Sequence, residues 1–318
     1  MKILVAGGAG FIGSVLVPLL RGRGHDVSVS DLFWFGKHLP TDVPTRRCEL
    51  FDLVEDDFAP FQQVIFLAGL SNDPMAEFNP AKNFVENGAL PSYLAYIAKK
   101  AGVERFIYAS SCSVYGFTDD SLADEDSEVR CGYPYGISKL QGERGVLQLG
   151  DDHYSTIALR QGTVCGYSPR MRFDLIVNTM FKAALQTGCI TIDNPMIWRP
   201  ILDVRDTAQA FASAVDAPRQ VSGVYNVAYD NFTVGEIGER VAAAVRRLTS
   251  RPIELDVKDV KDFRSYRVST ERARRVLGFD PHYGIEAIVE GLFEKRDEYG
   301  DFSKEAFYNI EVFKQLTG

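Results

Sequence analysis

The sequence predicts an α/β fold: a doubly wound parallel sheet covered by helices on both faces, followed by a smaller α/β unit. Three observations predict it. Short apolar runs of four to six residues alternate with longer helical patterns, the rhythm of βαβ units. The first run leads straight into the glycine-rich stretch Gly7-Gly8-Ala9-Gly10-Phe11-Ile12-Gly13. Beyond Gly166 the alternation gives way to loops, helices and short strands of another pattern. The 318 residues suffice for about two domains at ~150 residues each.

In chain order, Lys2–Ala6 reads as a buried strand and Phe11–Arg23 as the helix after it. Asp26–Ser30, Val64–Ala68 and Arg105–Ala109 supply three further strands, with a helix over Lys82–Ala101 before the last. Tyr133–Gln148 is helical and Ser155–Arg160 extended. Right-handed crossovers place these helices on both faces of one sheet. Ser168-Pro169-Arg170-Met171-Arg172 is a loop, and helical patterns follow over Phe173–Leu185, Thr207–Val215 and Val234–Leu248, with a short strand at Val224–Val227. We therefore expect a dinucleotide-binding domain over residues 1–167, to which part of 198–230 returns, and a substrate domain over 168–318.

Composition excludes several function classes. Lys and Arg total 35 against 43 Asp and Glu, a net charge of −8 with no basic block, which argues against nucleic-acid binding. No run of about 18 apolar residues predicts a membrane span, and the N-terminus lacks a secretory pattern. Five widely spaced cysteines without a Cys-x-x-Cys pair fit reduced thiols of a cytoplasmic protein and no metal site.

The glycine-rich stretch fits Gly8-x-Gly10-x-x-Gly13 and the wider Gly7-x-x-Gly10-x-x-Gly13. Its first glycines make a tight turn and admit a pyrophosphate to the backbone. Phe11 and Ile12 start a helix whose free N–H groups bind phosphate oxygens, and Gly13 lets helix and strand pack closely. Asp31 ends the second strand, eighteen residues after Gly13. An acid there accepts the adenosine ribose hydroxyls and repels a 2′-phosphate, which favours NAD over NADP. Asp52 and Leu53 are candidates for the adenine end, with helix capping the competing reading for Asp52. Leu67, Ala68 and Gly69, with Asn87, fall where the middle of the cofactor passes. Phe33-Trp34-Phe35 covers adenosine or packs in the core.

Tyr135 and Lys139 stand at i and i+4 on one helix face. A phenol with an ordinary pKa of ~10 is a poor base, and a nearby ammonium lowers it toward the working range. Ser110-Ser111-Cys112-Ser113 follows the strand Arg105–Ala109, where ligands of open α/β sheets sit, so a serine hydroxyl there can bond a substrate hydroxyl while Tyr135 removes its proton. A capping role for Ser110 or Ser113 is the plain alternative.

In order and spacing, Gly7–Gly13, Asp31, Ser110–Gly116 and Tyr135–Lys139 resemble the extended short-chain dehydrogenase/reductase family, and within it the NAD-dependent nucleotide-sugar epimerase/dehydratase group. The likeness continues through Trp198–Asp206 and Leu277–Pro281. It implies a Rossmann domain, NAD as cofactor, a nucleotide-diphosphate sugar as substrate, and a homodimer built on two helices per subunit. It implies Tyr135 as catalytic base, Lys139 as its partner and Ser111 as proton relay. Where the family's 4,6-dehydratases carry an Asp-Glu pair, this chain has Cys112 and Ser113, which disfavours that reaction. Cys112 remains either a substrate-side acid or base or a small buried residue. Thr163 replaces the Asn of the family's Arg-x-x-Asn. The stretch Ser168–Asn178 resembles nucleotide-heptose dehydrogenases and epimerases. Arg170 and Arg172 in it read as a diphosphate grip or as a solvated basic loop, with Asn178 alongside. Arg199 matches a diphosphate-binding arginine, and Arg264 in Asp262–Ser269 is the candidate for a second. The resulting expectation is oxidation of a sugar ring hydroxyl, at C4, by an epimerase or dehydrogenase. A ketoreductase running in reverse and a non-catalytic dinucleotide sensor are the alternatives.

Overall fold

The computed structural model describes residues 1–258 and 264–317. Among these, the strands in chain order are β1 (Lys2–Ala6), β2 (Asp26–Asp31), β3 (Thr45–Arg47), β4 (Gln63–Phe66), β5 (Arg105–Ser111), β6 (Phe117–Ala123) and β7 (Ser155–Gln161). They continue as β8 (Thr163–Cys165), β9 (Cys189–Asp193), β10 (Trp198–Asp203), β11 (Gly223–Val227), β12 (Asp230–Thr233), β13 (Glu254–Lys258) and β14 (Ser265–Val268). Seven form one all-parallel sheet in the order β11-β7-β5-β4-β1-β2-β3. The chain runs outward from β1 to β3, then crosses back to β4 and builds in the other direction. The strand order therefore reverses between β1 and β4, and a crevice opens at their carboxyl ends.

Both faces of that sheet are covered, so β1 alternates between two buried environments. Ile3 and Val5 pack with Leu16, Val17 and Leu20 of the helix Gly13–Gly22, and with Ala208 and Phe211 of the helix Val204–Asp216. Leu4 and Ala6 point the other way, onto Leu90, Leu94 and Ala98 of the helix Leu90–Lys100. Each such aliphatic side chain contributes roughly 1.5–3 kcal/mol when fully buried. A third core unites Phe181, Ile190, Ile237, Val241 and Ile288, from the helices Ile176–Thr187, Val234–Thr249 and Ile285–Glu294 and from β9, with Phe173 of the loop before the first of these helices. Small sheets β12-β10-β8, β13-β9 and β14-β6 frame this part. No helix among the described residues is long and apolar enough to cross a membrane, and no cluster there offers metal-ligand spacing.

One expected element is interrupted. The helical pattern over Lys82–Ala101 resolves into Pro80–Phe84, a wide π-type turn over Val85–Ala89, and Leu90–Lys100. Pro91 has no N–H to donate to the carbonyl of Asn87, four residues earlier. The Tyr108 hydroxyl of β5 donates to that carbonyl instead, at 3.0 Å. At the opposite end of the sheet β11 pairs in parallel with β7, so residues well past Gly166 share the large sheet.

Candidate active site

A cleft of about 710 Å³ runs along the carboxyl ends of the strands. Its floor is the turn after β1. Gly7 has φ +79, and a Cβ there would lie 2.4 Å from the Ala68 nitrogen; one on Gly13 would lie 2.2 Å from the Gly8 carbonyl oxygen. Both positions thus require the absence of a side chain. Above Gly10 the space is open, with only Gly7 O, at 3.4 Å, near a Cβ position. An open glycine backbone at a helix start fits a pyrophosphate.

Asp31 ends β2 with its carboxylate in the same cleft. It accepts hydrogen bonds from the backbone N–H of Ala9 at 2.9 Å and of Phe33 at 2.7 Å. Burial pushes its carboxyl up, while these donors and the Arg170 charge act against that shift. Phe11, Ile12, Leu67, Ala68 and Gly69 line the cleft with it, and so do Trp34 and Phe35. The residues present therefore fit a dinucleotide.

The catalytic candidates converge where β5 ends. Ser111 and Ser113 face the cleft, with the Ser113 hydroxyl donating to the Ser111 hydroxyl at 2.9 Å. Tyr135 and Lys139 come from the helix Pro134–Leu147, which opens with proline at its first position. The Tyr135 phenol is hydrogen-bonded to the Ser111 hydroxyl. Burial raises its pKa, the Asp73 carboxylate raises it further, and Ser111 and Arg172 oppose the rise. The Arg172 charge favours its phenolate, and Lys139, one helical turn on, lines the same cleft. Burial pulls Lys139 down to about 7, against the Glu143 carboxylate one helical turn on. Its ammonium nitrogen sits 4.4 Å from the centre of the Tyr108 ring. Glu143 is held in turn by Arg160, at 2.6 Å, and by the Ser110 hydroxyl.

The opposite wall carries the arginines. Arg199 donates to the carbonyls of Trp198 and Arg264, and Arg264 pairs with Asp73 at 2.5 Å. Both line the cleft. Asp262 and Phe263 of that segment lie outside the described residues. Arg170 and Arg172 line the cleft at its dinucleotide end instead. The Arg170 guanidinium is 3.7 Å from the Phe35 ring centre, and burial pulls it down to about 9. Arg172 pairs with Asp174 at 2.8 Å, beside the Phe11 ring. Neither is a solvated loop residue, since both are buried.

Five expected site residues do not line the cleft. Asp52 is exposed and Leu53 packs into the core; Glu49 and Leu50, the same acid–leucine pair three residues earlier, line the cleft at that end. Asn87 lies fully buried behind the Gly69 turn, where a Cβ would sit 2.1 Å from its Oδ1. Its amide nitrogen donates to Leu70 O and Asn83 Oδ1. Cys112 is fully buried, its thiol donates to the Arg160 carbonyl at 3.2 Å, and burial pushes that thiol up. Asn178 spends its amide on the Gly166 backbone and the Arg172 carbonyl, and so shapes the loop carrying the two arginines. Conversely, sequence reasoning missed Asp73 and Asn309. Asp73 opens the short helix Asp73–Phe78, for which Asn72-Asp73-Pro74 was a readable start signal. Nothing in the sequence marked Asn309.

The model of the NAD dependent epimerase/dehydratase family matches residues 3–228. The UDP-glucose 4-epimerase of Corynebacterium glutamicum is 24% identical over 327 residues, spanning 96% of this chain and 99% of the relative. Among solved structures, MoeE5 in complex with UDP-glucuronic acid and NAD is 29% identical, with a TM-score of 0.82 over 94% of this chain and 100% of the other. The UDP-glucose 4-epimerase of Thermus thermophilus in complex with NAD is 25% identical, with a TM-score of 0.80 over 94% and 99% of the two chains.

Proposed function

The chain belongs to the NAD dependent epimerase/dehydratase family, an NAD-dependent enzyme family, and on that premise we propose that it is a UDP-sugar 4-epimerase. One observation carries the reading: Ser111, Tyr135 and Lys139 share a single cleft with the glycine turn on one side and with Arg199 and Arg264 on the other. Relatives named as UDP-glucose 4-epimerases support uridine diphosphate and carbon 4.

NAD, when bound, supplies a hydride acceptor that can also give the hydride back. The chain's own residues do the rest. Arg199 and Arg264 hold the diphosphate, so that cofactor and sugar meet in an effectively unimolecular geometry. Ser111 bonds the C4 hydroxyl and passes its proton to Tyr135 as the C4 hydrogen leaves as hydride. The resulting 4-keto sugar turns over in the pocket. Tyr135 then returns the proton as hydride comes back to the other face. Tyr135 takes the first proton as phenolate, the form that the Ser111 hydroxyl and the Arg172 charge favour against burial, and makes the return donation as phenol; Lys139 would hold the nicotinamide ribose. The reading includes a homodimer, in which the exposed Val85, Tyr93 and Tyr96 meet their counterparts.

Incubation with NAD and a panel of UDP-sugars, read by NADH absorbance and by NMR of the sugar, tests the proposal. The expected result is a C4 stereoisomer without accumulating NADH. Tyr135→Phe should lose at least about a hundredfold in kcat, the usual range for a positioned acid–base group. NADH growing far beyond the enzyme concentration would replace the epimerase by a net dehydrogenase. Full activity of Tyr135→Phe would remove the tyrosine from the chemistry.

A further inference from the structure

The dinucleotide end of the cleft is roofed by a segment from the far end of the chain. The helix Asn309–Thr317 begins in the cleft wall, where Asn309 and Ile310 line the same space as Gly10 and Asp31. Its Phe313 is fully buried, 6.0 Å from Trp34 and 5.9 Å from Phe78, ring centre to ring centre. Trp34 follows β2, and Phe78 lies in the segment after β4. Those strands flank β1 on either side. A helix that touches both loops straddles the glycine turn between them.

Polar contacts tie the helix start down. The Asn309 amide donates to the Ser71 hydroxyl at 2.6 Å, its Oδ1 accepts from Arg170, and its backbone N–H reaches Asp174 at 3.3 Å. Asn72 donates to the same Asp174 carboxylate at 3.1 Å. The loop after β4, the arginine-bearing segment and the C-terminal helix are thus bound together across the cleft. Arg170 is 2% exposed, and its Nε has no hydrogen-bond partner among the described residues. That one buried guanidinium N–H, in the wall of a cleft that fits a dinucleotide, is a group set to meet a ligand oxygen.

We propose that the helix Asn309–Thr317 is a clasp: Phe313 in its slot between Trp34 and Phe78, and Asn309 on Ser71 and Arg170, close the dinucleotide into the cleft, so that cofactor enters and leaves only when this helix lifts. The inference rests on the dinucleotide occupying that cleft. Phe313 packs with Leu70 and Met75 in a small cluster separate from the main cores, so the helix can lift without opening either domain core. A closed clasp keeps the reduced cofactor in place until the hydride is returned, as an epimerase needs and a net dehydrogenase does not.

The test is stopped-flow NADH fluorescence on the full chain, measuring association and then dissociation by chase with excess NAD. Phe313→Ala, and Asn309→Ala as the milder variant, are compared with wild type. A gate slows both directions. Both rate constants should therefore rise together in Phe313→Ala by about tenfold, the factor that ~1.4 kcal/mol of lost latch contact gives. Asn309→Ala should follow in the same direction, and the equilibrium affinity should change far less than either rate. Unchanged rates in both variants overturn the clasp. A rise in dissociation alone also overturns it, because it makes these residues direct nucleotide contacts. Failure of wild type to bind NADH overturns the dinucleotide reading itself.

Discussion

Lys139 is the side chain whose place in the cleft the sequence anticipated and whose setting it could not convey. The i, i+4 spacing with Tyr135 was legible, because helix periodicity fixes shared faces. The burial that sets its charge was not, because it depends on Tyr108 of β5, on Glu143 and on the depth of the crevice. The same holds for Asn87, Cys112 and Asn178, each of which has a backbone carbonyl from elsewhere in the chain among its partners. A testable consequence follows from linkage. Lys139 titrates at about 7 in the folded protein and near ~10.4 when unfolded. Below pH 7 both states carry the proton, so the buried ammonium costs its full desolvation, about 1.4 kcal/mol per pKa unit of depression. Between pH 7 and 10 the unfolded chain binds more protons, and the cost declines as pH rises. Lys139→Met should therefore be more stable than wild type by several kcal/mol at pH 6, with the gap closing toward pH 10. Urea unfolding at the two pH values measures it; a gap that is constant or widens with pH would show that the ammonium is not under that strain.

At the scale of elements, strands were the legible part. Apolar runs marked β1, β2, β4, β5 and β7 to within a few residues, since strands buried on both faces are nearly continuous in hydrophobicity. Among the missed strands, β3 and β8 span three residues each, too few for a period to show, and β6 carries the polar run Thr118-Asp119-Asp120-Ser121 in place of an apolar one. The break at Val85–Ala89 was missed for another reason: Pro91 is tolerable near a helix start, and only tertiary structure shows that the chain is already helical before it. That turn holds Asn87 behind the Gly69 loop, so its stability bears on the cleft wall. Tyr108→Phe removes the hydroxyl that donates to the Asn87 carbonyl. Leaving that buried acceptor without its donor should cost ~1–3 kcal/mol. Chemical denaturation gives the number directly; a loss below about 0.5 kcal/mol would mean that the carbonyl finds another donor.

At the scale of the whole molecule, the sequence could show βαβ units but not their order. The reversal between β1 and β4, which creates the crevice, and the return of β11 to the sheet edge emerge only when the chain is closed up. The pairing of two chains is further still from what one sequence reveals, and here surface physics supplies the argument. The helix Leu90–Lys100 buries Leu90, Leu94 and Ala98 against the sheet, yet Tyr93 and Tyr96 stand exposed on its outer side. Phe51 stacks on Tyr93 at 5.8 Å, and Val54 and Val85 are exposed as well. Aromatic side chains gathered on one exposed surface are the composition of an interface core. A two-fold axis near Tyr96 would set this surface on its own copy, as isologous pairing requires. An aspartate there would then bring two like charges together in a desolvated contact. Tyr96→Asp should shift the protein from dimer to monomer in sedimentation velocity, while the unchanged far-ultraviolet circular dichroism of an exposed substitution shows that the subunit stays folded. Catalysis per subunit should survive, because none of Phe51, Val54, Val85, Tyr93 and Tyr96 lines the cleft. A wild-type chain that sediments as a monomer would refute the pairing; a Tyr96→Asp chain that remains a dimer would move the axis to another surface.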